Sequence, residues 1–109
     1  MAYNEKLAER IRAIFAGDER VTERKMFGGI AFMLNGNMVC GVIKDDFMAR
    51  IGADAYDEAL AKPHTRIMDF AHRPMKGMVY VEAEGYAGKG LRTWVQRCVK
   101  FAESLPPKK

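Results

Sequence analysis

Two apolar runs joined by Asn35-Gly36 constrain this 109-residue chain more than any other stretch. Residues 30–34 precede the pair and residues 37–43 follow it. Asn-Gly suits the two positive-φ positions of a type I′ turn, so the segment predicts a β-hairpin. Both alternating sets of its first strand are apolar: Ile30, Phe32 and Leu34 on one side, Ala31 and Met33 on the other. A sheet with one face in water alternates with polar residues. This hairpin therefore predicts a sheet covered on both faces, by helices or by a second subunit, and a homodimer is compatible with it.

The rest of the chain supplies the covering elements. Leu7, Ile11, Ile14 and Phe15 fall on one face of a helix over residues 4–16, with Asn4 as its cap and Gly17-Asp18 as its stop. Residues 18–25 read as a polar connection. Lys44-Asp45-Asp46 is a second turn and residues 47–51 a third strand. After Gly52, Asp54 can cap a short helix that runs through Ala61 and stops at Pro63. A short strand follows over residues 66–70, then a loop through Pro74 and a strand over residues 78–83. Leu91, Trp94, Val95, Cys98, Val99 and Ala102 keep helical spacing in the last helix, which Pro106-Pro107 end. The order is helix, three antiparallel strands, helix, two strands, helix. Hairpin-joined strands with helices at intervals predict a single α+β domain spanning residues 1–109.

Apolar content of 49%, charged content of 29% and a net charge of +4 belong to an ordinary globular protein. No apolar run reaches the ~20 residues that span a bilayer, and the first residues lack the apolar core of a secretory signal. A soluble cytoplasmic protein without membrane contact is expected. Cys40 and Cys98 stand far apart among apolar neighbours and read as reduced core thiols.

Little in the chain suggests catalysis. Ser104 is the single serine and has no histidine near it in sequence, and Thr22, Thr65 and Thr93 lack an evident activating base. His64 and His72 are not spaced with the cysteines as zinc ligands. The carboxylate pairs Asp45-Asp46 and Asp57-Glu58 fall in a turn and on an exposed helix face. Gly85-Tyr86-Ala87-Gly88-Lys89-Gly90 precedes the last helix but lacks the ending of a phosphate loop, and reads as a connection. No catalytic residue, metal or cofactor is expected.

The cations cluster. Lys62, Arg66, Arg73 and Lys76 lie close together in sequence against the single acid Asp69, and Arg24-Lys25 open the hairpin. Arg50 sits among apolar residues of the third strand. An unpaired guanidinium there is costly, which points to a structural ion pair of Arg50 with Asp69. Aromatic residues do not alternate with the basic stretch as on a single-strand nucleic-acid platform.

Arg24-Lys25-Met26-Phe27-Gly28-Gly29-Ile30, the Asn35-Gly36 turn, Arg50-Ile51-Gly52, and Arg73-Pro74-Met75-Lys76-Gly77 before Val79-Tyr80-Val81 occur in this order. Together they closely resemble the TfoX (Sxy) N-terminal domain family, over nearly the whole chain. The resemblance implies an α+β fold similar to secretion-chaperone-like domains, and a link to bacterial competence and transcription regulation. Full-length members of that family carry a C-terminal domain similar to a helix-hairpin-helix module, which has no counterpart here, so a single-domain member is expected. No catalytic residues carry over. The expectation is a non-enzymatic regulatory domain that binds a transcription-related protein partner. Its surface would combine Arg24, Lys25, Gly28, Gly29, Arg66, Arg73, Lys76 and Gly77. Direct binding of nucleic acid or a small anion through the same basic surface is the alternative.

Overall fold

The computed structural model describes the backbone of residues 3–26, 28–70 and 73–106, and the side chains of these except 26, 68–70 and 73–76. The first helix, α1 (Glu5–Ile14), begins as its sequence predicts: the Asn4 side-chain oxygen accepts from the Leu7 N–H at 3.0 Å. It buries Leu7, Ala8 and Ile11.

Where a polar connection was expected, the chain forms a strand, β1 (Val21–Met26). Thr22, Glu23, Arg24 and Lys25 are all exposed, so no alternation marked the segment as a strand. Such a charged edge also discourages pairing with a second sheet. β1 pairs antiparallel with β2 (Gly29–Leu34), and β2 with β3 (Asn37–Ile43). Asn35 at φ 51° and Gly36 at φ 85° form the predicted turn between them. β4 (Asp46–Arg50) follows closely.

The next helix departs from its expected start. A 3-10 turn, Ala53–Ala55, leads into α2 (Tyr56–Leu60), and Asp54 lies inside the 3-10 turn instead of capping a helix. β5 (Thr65–Phe70) then pairs with β6 (Arg73–Val81). β6 begins five residues earlier than the predicted strand, because pairing with β5 supplies a partner that the sequence pattern around Pro74 does not advertise. Ala83, expected at a strand end, opens the short helix α3 (Ala83–Tyr86), and α4 (Gly90–Glu103) follows.

The six strands form one antiparallel sheet in the order β1-β2-β3-β4-β6-β5. The main core contains residues from all four described helices: Ile11 from α1 with Phe15 at its C-cap, Ala59 from α2, Tyr86 from α3, and Trp94 and Cys98 from α4. They pack on Phe32, Val42, Phe47, Val79 and Val81 of the sheet. Burying a side chain such as Phe47 contributes about 2–3 kcal/mol. A second cluster, Met48 and Met78 with Met38, Ile43 and Tyr80, contains strand residues alone. The described helices thus cover one face, where the apolar alternation had suggested cover on both.

Candidate functional site

The eight residues expected to share one surface are split by the sheet. Arg24 and Lys25 lie on β1 at one edge, while Arg66 lies on β5 at the other. Five strand spacings of ~4.8 Å separate those edges, roughly 24 Å. Arg73 and Lys76 belong to β6, but their side chains, like that of Asp69, lie outside the described residues.

The glycines have structural duties. Gly28 has φ +77° in the β1–β2 turn, a conformation that glycine enters without penalty. A Cβ on Gly29 would collide with the Val42 carbonyl of β3, so this position holds two strands together. The Gly77 carbonyl accepts from the N–H groups of Ile51 and Gly52 at 2.9 and 3.1 Å, fastening β6 to the segment after β4.

The register nevertheless links the two edges. Arg24 pairs with Ala31, Ala31 with Gly41, Gly41 with Met48, Met48 with Tyr80, and Tyr80 with Arg66. Directly paired residues share a face, so these six form one row across the face opposite the main core. The Met48 methyl lies over Gly41, 2.7 Å from where a Cβ would stand. The row therefore has small residues in its middle, and Met33, Met38 and Ile43 stand half-buried beside it.

Its two cationic ends differ. The Arg66 guanidinium stacks on Tyr80, 5.0 Å from the ring centre, and bonds Asp46 at 2.5 Å and Glu82 at 2.7 Å. The Asp46 hydrogen bond, seconded by Glu82, holds the Arg66 pKa above its ordinary value. Its charge is thus spent locally. Arg24 is exposed, and no ion pair engages it among the described residues.

Arg50 was assigned to Asp69, whose side chain is outside the described set. Arg50 itself donates to the Met38 carbonyl at 3.3 Å and lies 5.5 Å from the Phe101 ring centre. Three of the candidate hydroxyls donate to backbone. Ser104 Oγ donates to the Phe101 carbonyl at 2.6 Å, Thr65 Oγ1 to the Lys62 carbonyl at 2.8 Å, and Thr93 Oγ1 to the Lys89 carbonyl at 3.3 Å. Cys40 and Cys98 are free and buried, and burial pushes both thiols up, Cys98 to about 12. At neutral pH neither thiol supplies a thiolate. Among the described residues, no three His, Cys, Asp or Glu side chains are placed to hold a metal ion.

One feature of the surface was absent from the sequence reading. A cleft of about 410 Å³ opens between α1 and the start of α4, lined in part by Arg10, Lys89 and Arg92. In sequence it corresponds to the polar side of α4, which the apolar periodicity does not mark.

The conserved model of the TfoX N-terminal domain matches residues 13–102, from the end of α1 to the last turn of α4. The chain belongs to the TfoX N-terminal domain family. No curated protein and no solved structure matches it. Among the described residues of this family member, no helix is long and apolar enough to cross a membrane.

Proposed function

We infer that this TfoX N-terminal domain is a non-enzymatic regulatory module that acts by binding a protein partner, in transcription or competence control. The observation that carries the reading is the helix-free sheet face, with its row from Arg24 through Ala31, Gly41 and Met48 to Tyr80. Methionine side chains are unbranched and polarizable, and they suit surfaces that adapt to a partner. A partner element laid over the half-buried Met33, Met38 and Ile43, beside the buried Ala31 and Gly41, would meet them with apolar groups. An acidic group at its end would meet Arg24. The family's link to competence regulation supplies the biological setting.

The test is affinity capture from host cells with wild type and an Arg24→Glu/Met38→Lys double variant, each first shown to be folded by circular dichroism. The wild type should retain a transcription-related protein that the double variant loses. A strain lacking the chain should recover promoter response with the wild type alone. Equal capture and equal promoter response by both proteins would refute this surface.

A further inference from the structure

The exposed side of α4 carries one sign of charge along most of its length. At 3.6 residues per turn, Lys89, Arg92, Gln96 and Lys100 fall within an arc of about 80°, opposite the buried Leu91, Trp94, Val95 and Cys98. All four are exposed. Glu103 closes the stripe and is itself held by Arg20 at 2.9 Å. Arg10 extends the stripe past the start of α4, fixed by a 2.9 Å hydrogen bond from Nη2 to the Gly88 carbonyl.

These cations differ from the paired ones in the protein and share with Arg24 the lack of an ion pair among the described residues. Arg12, Arg20, Lys62, Arg66 and Arg97 each pair with a carboxylate. Arg10, Lys89, Arg92 and Lys100 form no ion pair among the described residues. Lys89 and Arg92, three residues apart, repel one another by a few tenths of a kcal/mol. That cost is offset when a ligand brings the opposite charge. The cleft of about 410 Å³ lies at one end of the stripe, with Ala13, Ile14 and Leu91 among its lining.

We propose that α4, with Arg10 of α1, is a docking surface for the phosphate backbone of duplex nucleic acid. From Lys89 to Lys100 the stripe runs about 16 Å at 1.5 Å per residue. That length matches the axial rise of roughly five base pairs at about 3.4 Å each. The stripe offers no exposed aromatic for base stacking, since Trp94 is buried, so recognition rests on phosphates and not on splayed bases. The site is separate from the helix-free sheet face, and the two stand or fall independently.

Fluorescence anisotropy with a short labelled duplex, titrated with the full chain at several salt concentrations, tests the proposal. Four phosphate contacts predict a log–log salt slope near −3.6, so binding should weaken on the order of 100-fold between about 50 and about 200 mM salt. Lys89→Gln, Arg92→Gln and Lys100→Gln should each reduce the steepness by about 0.9. All three positions are exposed, so the variants should fold. Arg24→Gln, on the opposite side of the sheet, should leave the slope unchanged. Absence of binding at low salt, a flat slope, or an equal loss with Arg24→Gln would overturn the proposal. So would preference for a single strand over the duplex. Pyrophosphate binding that is sensitive to Arg92→Gln but not Lys100→Gln would assign the cleft to a small phosphate compound and likewise overturn it.

Discussion

The two faces of the sheet are built from the same strands and the same pleat, yet by different means. On the covered face, Phe32, Val42, Phe47, Val79 and Val81 meet side chains from four described helices, and Phe15 and Phe32 lie 6.0 Å apart between ring centres. Branched and aromatic groups interlock there, with few rotamers available to each. On the opposite face, Met48 lies flat over Gly41, and Met38, Ile43 and Tyr80 stand around it. Three methionines, unbranched and adaptable, make up most of that cluster. The first face is packed by helices, and the second is closed by strand residues alone.

This contrast can be broken by mutation. Phe47→Ala, which empties a fully buried site, should cost about 3–5 kcal/mol in urea denaturation. Met38→Ala, half-buried, should cost about 1 kcal/mol. If the two losses were equal, the faces would be equally rigid and the comparison would fail. Gly41→Ala should fall between them, at about 1–3 kcal/mol, because the new Cβ meets the Ile30 carbonyl at 2.6 Å and backbone cannot yield as the Met48 methyl can.

Alkaline pH sharpens the contrast further, since the described thiols belong to the covered face. Cys98 titrates near 9 when unfolded and about 12 when folded, so between those values the unfolded chain has lost a proton that the native chain keeps. Stability present below pH 9 should therefore fall as pH rises, by about 1.4 kcal/mol per pH unit for this thiol. Cys40 acts in the same direction. Denaturation midpoints measured across that range should slope downward, and Cys98→Ala should lessen the slope. The smallest effect is expected for Arg66→Gln at the edge of the helix-free face. Its ion pairs are exposed, and their loss should cost under about 1 kcal/mol in thermal unfolding.

Much of this architecture could be read from the residues. The Asn35-Gly36 hairpin, α1 and α4 announce themselves because burial on one side imprints a period on the sequence. β1 does not, because as an edge strand its middle residues stay in water. The first half of β6 was hidden for a related reason: its partner is β5, Pro74 and Gly77 break the local pattern, and the β5–β6 register itself shifts between Ile67 and Asp69. The candidate surface was the least legible feature. Arg24 and Arg66 belong to segments whose distance depends on β6 inserting between β4 and β5, a choice made by non-local pairing. Arg66 gave no sign in sequence of its bonds to Asp46 and Glu82. The α4 stripe lay in plain view at positions 89, 92, 96 and 100, on the side of the helix that the apolar periodicity leaves unread.

The strand order also bears on how the molecule assembles and loosens. β1, β2 and β3 pair only with sequence neighbours, and each junction from β1 to β4 closes over a short turn. The joint between β4 and β6 is different, for Phe47 must find Val81 across the whole α2–β5 segment. Closing that larger loop carries the greater entropy cost, which places it late in folding. The β5–β6 hairpin is then the natural unit to detach first. Amide exchange should reveal the seam between β4 and β6 as the line along which the native sheet opens.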